Sequence, residues 1–218
     1  MHRLRLFGRN NGLSLVLFLM FILTFAGGQF FTGRREYNDE RRERGQPAVG
    51  YVAYLRSPHF LEATAENWES EFFQMFVYVT LTVFLCQKGS AESNDPDDPR
   101  RPESKLTARS PWAARQGGWI RRLYEHSLSL ALAVLFMVSF ALHAFQGGHL
   151  RNEEVAAHGE APISVVEYVG TSRFWFESFQ NWQSEFLSIG MMVILTVFLR
   201  EKNSPESKPV NMPHSDNE

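Results

Sequence analysis

Cysteine is all but absent: Cys86 is the only one in 218 residues, which excludes an intramolecular disulfide and any multi-cysteine zinc site. A charge surplus is lacking too. With 22 Lys and Arg against 24 Asp and Glu the formal net charge is −2, so nothing in the composition argues for a nucleic-acid partner. There is no nucleophile elbow, no phosphate-binding glycine loop and no zinc-protease motif. His59, His143, His149 and His158 fall toward one side of the chain's loops, but no two have close ligand spacing on a helix, and as a set they read as surface histidines. No catalytic residue, cofactor-binding residue, cofactor or metal ligand is therefore assigned.

What is present is segregated apolar sequence, hidden by a slightly negative mean hydropathy. Leu13 to Phe31 runs for about nineteen residues without an ionisable side chain, enough helix to cross a hydrocarbon core of roughly 30 Å. Leu128 to Gln146 has the same length and one histidine. The runs Phe72 to Cys86 and Phe186 to Leu199 are shorter, and reach spanning length only if the helix includes the polar motif before each, "NWESEF" (Asn67–Phe72) and "NWQSEF" (Asn181–Phe186).

Those motifs belong to a duplication. An offset of 114 superimposes them, together with "LTVFL" at Leu81 and Leu195 and "SAES" on "SPES". With one gap the match extends back to Gly45/Gly159, Tyr54/Tyr168 and Phe60/Phe174, and then to Ser14/Ser129, Thr24/Ser139 and Gly33/Gly148. The basic N-terminal residues Arg3, Arg5 and Arg9 before an apolar run also fit a cleavable signal peptide, but the mid-chain copy of that run favours a retained helix. The fold class expected is an all-α membrane protein, with four transmembrane helices arranged as two tandem helical hairpins. Residues 1–90 form the first repeat (spans near 13–31 and 67–86), 91–118 a flexible linker, 119–202 the second repeat (spans near 128–146 and 181–199), and 203–218 a disordered tail.

Roughly fourteen Lys and Arg lie in the N-terminal segment, linker and tail, against about eight in the hairpin loops, which puts both termini and the linker in the cytoplasm. The linker and tail are rich in Pro, Ser and charge without apolar periodicity. "AVGYVAYL" and "SVVEYV" suggest short interfacial helices. Ser57 before Pro58 reads as a helix N-cap, with Ser172 as its counterpart.

On an unbroken second helix, Asn67, Glu71, Gln74, Tyr78 and Thr82 share a face, and the repeat offers Asn181, Glu185, Ser188, Met192 and Thr196. A carboxylate in hydrocarbon costs on the order of 2.5 kcal/mol or more, so both stripes should face a partner or water. His143 lies level with Glu185, a candidate pair; its own equivalent is Gly28. Glu69 becomes Gln183, so the shared design does not require its charge. The candidate intramembrane polar cluster is Asn67, Trp68, Glu71, Gln74, Asn181, Trp182, Glu185, Ser188 and His143. It reads either as interhelical hydrogen-bond glue with Trp68 and Trp182 as interfacial anchors, or as an ion or proton relay.

The repeated "NW[EQ]SEF", "LTVFL" and "S[AP]ES" motifs resemble a family of small bacterial multi-pass inner-membrane proteins defined by a domain of unknown function. The resemblance implies an inner (plasma) membrane location and brings no activity. The expectation is a non-enzymatic structural or partner-binding bundle whose partner is the lipid bilayer, and no nucleic acid. The alternatives are a transporter or channel subunit using Glu71 and Glu185, which would require a homo-oligomer, and a lipid-modifying membrane enzyme.

Overall fold

The computed structural model describes residues 6–8, 10–97 and 105–216. Arg3, Arg5 and Arg9, part of the linker (98–104) and the last two residues lie outside the described residues. Every regular element among the described residues is helical. In chain order these are α1 (Gly12–Leu23), a π-helical stretch (Thr24–Thr32), α2 (Gly33–Glu43), α3 (Tyr51–Leu55), α4 (Pro58–Leu81), α5 (Trp112–Arg115), α6 (Gly118–Glu125), α7 (Ser127–Ala157), α8 (Val165–Val169) and α9 (Ser172–Phe198). They fold into two compact units, Met1–Thr64 with Ala144–Tyr168, and Ala65–His143 with Val169–Glu218. Each unit draws on both sequence repeats.

The first unit is ordered by aromatics and by devices that occur twice. Tyr37, Tyr54 and Phe60 form its buried core, with Phe25, Phe30, Val49 and Leu61 packed against them. Asn38 closes the loop after α2 by exchanging two hydrogen bonds with the backbone of Val49 (2.7 and 3.1 Å), and Asn152 does the same with Ile163 (2.8 and 2.9 Å). Each bond pair satisfies partly buried backbone groups that no helix ladder serves. The Tyr54 hydroxyl donates to the Gln29 carbonyl at 3.3 Å and crowds Gly33; the Tyr168 hydroxyl crowds Gly147, where an added Cβ would lie only 2.6 Å away.

That last pair revises the alignment. Gly33 corresponds to Gly147, not Gly148, so the 114 offset already holds there and at Asn38/Asn152, while Thr24/Ser139 keeps an offset of one more. The first copy therefore carries one extra residue between these points, where the chain is π-helical. A π-bulge is how a helix absorbs a single inserted residue. The expected cap at Ser57 is present, its Oγ accepting from the Phe60 N–H at 3.2 Å. In the second copy the cap is Thr171 rather than Ser172, accepting from the Phe174 N–H at 3.3 Å.

Among the described residues two helices, not the four expected, are long and apolar enough to cross a membrane: Gly12–Glu43 and Ser127–Ala157. The reason lies in the other two. Glu66, Glu69 and Glu71 interrupt α4, which ends at Leu81 rather than near Cys86, so 72–81 covers only about 15 Å, half of a hydrocarbon core. Beyond Glu185, α9 has about 20 Å of helix before Phe198. In the two apolar windows, 0% and 17% of residues are buried, so their side chains point outward instead of forming a core.

Candidate functional site

The second unit holds a charged cluster built from α4, α7 and α9. Glu69 and His143 are fully buried, with His143 Nδ1 2.6 Å from Glu69 Oε2. The other oxygen of Glu69 accepts from the indole N–H of Trp182 at 3.1 Å. On the far side of the imidazole, Nε2 stands 3.8 Å from Glu177 Oε2, and Arg173 Nε donates to Glu177 Oε1 at 2.9 Å. One turn from Glu69, Glu66 accepts from the Asn181 amide at 2.5 Å. Trp182, Glu69, His143, Glu177 and Arg173 thus form a row from the interior to an exposed guanidinium, hydrogen-bonded at each step except His143–Glu177, which is an ion-pair contact at 3.8 Å.

Aromatic side chains wall this row. Phe174 lies 4.8 Å from the His143 ring, Phe140 packs edge-on against Phe174, and Phe73 lies 4.3 Å from Trp182. Apolar walls lower the local dielectric, which strengthens each hydrogen bond inside and raises the cost of leaving any member unmatched.

Of the residues singled out in the sequence, His143, Trp182 and Asn181 enter the cluster, and Gln74 is buried nearby on α4. Asn67, Trp68 and Glu71 fall on an exposed face of α4. Glu185 is half-buried and close enough to Glu71 to interact with it electrostatically, while Ser188 donates to the Glu185 carbonyl on its own helix at 2.8 Å. His143 therefore pairs with Glu69, not Glu185. Glu66, Glu69, Glu177 and Arg173 were not among the candidates. A signal for the acids was present: their repeat equivalents are Gln180, Gln183 and Ala63, and His143 falls opposite Gly28 or Gln29 in the stretch that holds the extra residue, so Glu66, Glu69, Glu177 and His143 are each ionisable in one copy only. A buried histidine unique to one repeat needs partners that are also unique.

The "SAES" and "SPES" motifs form a second, paired site at the ends of α4 and α9. Ser93 Oγ accepts from Gln87 N–H and Ser90 Oγ from Glu92 N–H; Ser207 and Ser204 repeat this with Glu201 and Glu206, all between 2.7 and 3.2 Å. Ser90 and Thr196 hydroxyls meet at 2.8 Å, and Tyr78 donates to the Glu92 carboxyl at 3.0 Å. Burial and a hydrogen bond to Glu206 push the Glu92 carboxyl above its ordinary pKa. The composition of 203–218 suggests a loose tail; residues 203–216 form turns in which Lys208 is buried, its ammonium donating to the carbonyls of Pro213, His214 and Asp216.

No curated protein and no solved structure matches this chain. Residues 4–218 match one family throughout, so the chain belongs to the family described as Domain of unknown function (DUF6766).

Proposed function

We propose that this chain is a multi-pass protein of the bacterial inner membrane, with cytoplasmic termini, acting as a non-enzymatic helical bundle that the Glu69–His143–Glu177 row holds in register. The observation that carries the membrane reading is outward-facing apolar surface: from Leu13 to Leu23 every large side chain is exposed, and Leu128, Val134, Met137, Val138, Leu142 and Phe145 are exposed along α7. Soluble monomers rarely present patches beyond a few hundred Å². The duplication extends the reading to α4 and α9. If α1 and α7, as equivalent segments, cross in the same sense, the chain must return between them, and among the described residues in that interval α4, at 24 residues, is the longest helix available to carry it. Of its acids, Glu69 is fully buried and Glu66 is bonded to Asn181, so both face protein, whereas the exposed Glu71 requires water or the interface at its depth.

The test is single-cysteine accessibility in intact cells and inverted vesicles, after Cys86→Ser, at Gly45, Asp95, Gly159 and Ser215. Labelling of Gly45 and Gly159 only from outside, and of Asp95 and Ser215 only from inside, is expected. Asp95 labelling from outside would refute the return of the chain through α4.

A second reading is favoured by one feature. An imidazole hydrogen-bonded to one carboxylate and 3.8 Å from a second is a pair of sites between which a proton could pass, with Arg173 fixing Glu177 as its charge partner and not carrying the proton; this moves the relay role from Glu71 and Glu185 to Glu69, His143 and Glu177. Flux across reconstituted vesicles that is abolished by Glu177→Gln, with the fold intact, would establish it over the bundle reading.

A further inference from the structure

The linker between the repeats contains a surface that neither reading uses. Two short helices, α5 and α6, follow each other closely, and the groove between them, about 330 Å³, is lined by Trp112, Ala113, Trp119, Ile120, Leu123 and Tyr124. Trp112, Trp119 and Leu123 are 62, 73 and 52% exposed. The segment that carries this face is basic: residues 105–126 contain Lys105, Arg109, Arg115, Arg121 and Arg122 against the single acid Glu125, which is bonded to Arg121 at 2.7 Å.

We propose that the α5–α6 face docks on the anionic phospholipid leaflet at the start of α7, an inference that rests on the membrane reading above. Position, side-chain chemistry and charge all favour lipid as the occupant. Only His126 separates α6 from α7, and the uncharged run begins at Leu128, so an eight-residue helix of about 12 Å stays near the headgroup layer whichever way it points. Tryptophan and tyrosine beside an apolar stripe suit the membrane interface, where a ring sits among acyl chains while its polar edge stays wet. The basic excess matches an anionic leaflet, where each Lys or Arg near the surface contributes roughly a fivefold gain in binding.

The experiment uses the full chain with Cys86→Ser and Ala113→Cys, labelled with an environment-sensitive nitrobenzoxadiazole dye and reconstituted in nanodiscs of phosphatidylcholine alone or with phosphatidylglycerol. A blue-shifted, brighter emission is expected in the anionic discs only. It should reverse in about 0.5 M salt, where the screening length is only a few ångströms. In Arg109→Gln/Arg115→Gln/Arg122→Gln the docked-to-free ratio should fall on the order of a hundredfold. Emission equal in both lipids, or insensitive to salt in the otherwise unaltered chain, would overturn the proposal. A signal that follows protein copies per disc instead of lipid charge would assign the face to a second copy, and also overturns it. Failure of the chain to co-elute with discs at all is a different result, refuting the membrane reading beneath.

Discussion

Replacing Glu69 by alanine is the sharpest probe of the charged row, because Glu69 is completely buried and serves two donors, His143 at 2.6 Å and Trp182 at 3.1 Å. Truncation leaves an imidazole and an indole N–H facing a void walled by aromatic rings. Removing one partner of a buried charged pair costs about 3–5 kcal/mol. For a chain of this length each kcal/mol moves Tm by about 2–4 °C, so Glu69→Ala should lower it by roughly 6 °C or more. The assay is thermal unfolding in detergent followed by tryptophan emission, for which Trp182 is a local reporter. Glu71→Ala, two residues away on the exposed face, is the control and should shift Tm by less than about 2 °C. Coupling should appear in the cycle with His143→Leu, the double variant losing about 0.5–3 kcal/mol less than the sum of the singles. Equal shifts for Glu69→Ala and Glu71→Ala, or strict additivity with His143→Leu, would refute the row as a packing element.

Gly147→Ala should destabilise by about 1–3 kcal/mol through collision with the Tyr168 hydroxyl, and Tyr168→Phe in the same chain should recover part of the loss. Thr171→Ala should cost about 0.5–2 kcal/mol of helix capping while Ser172→Ala costs less than about 0.5, a contrast that chemical denaturation in detergent would read. Asn152→Ala, by removing both bonds to Ile163, should lose about 1–3 kcal/mol and speed hydrogen exchange at the Ile163 amide. The raised pKa of Glu92 means its neutral form favours the fold: that contribution is full below the ordinary carboxyl pKa of 4.5 and fades as pH rises through the elevated value. Protease cleavage within 203–216 should therefore increase with pH over that window, and Glu92→Gln should abolish the dependence.

Much of the architecture was legible because repetition supplied a second reading of each device. The Ser57 cap, the short helices at Tyr51–Leu55 and Val165–Val169 and the long apolar helices follow from local pattern. What escaped was decided by a single residue of phase. Asn67 and Glu71 share a face at helical spacing with Gln74, but only Gln74 of the three is buried; Glu66 and Glu69 belong to the neighbouring stripe that meets α7 and α9. Both stripes are polar at helical spacing, so periodicity could not rank them. The gap in the alignment was visible, but its location was not, since a π-bulge has no composition of its own and only the crowding of Gly33 and Gly147 by tyrosine hydroxyls fixes it.

Duplication also creates a problem that the charged row addresses. When two hairpins share sequence, α4 presents nearly the same surface as α9, and α7 nearly the same as α1, so swapped pairings compete with the intended one. The paired devices, Asn38 with Asn152, Tyr54 with Tyr168 and the two Ser–Glu–Ser loops, cannot discriminate, because each works equally in either copy. His143, Glu66, Glu69 and Glu177 can, because none of their equivalents (Gly28 or Gln29, then Gln180, Gln183 and Ala63) is ionisable. A swapped arrangement would bury Glu69 opposite an uncharged residue, or His143 opposite glutamine and alanine, and an uncompensated buried charge costs several kcal/mol. Placing each charge in one copy only makes the wrong pairing expensive while the right one is satisfied from both sides, which is specificity by exclusion rather than by added adhesion.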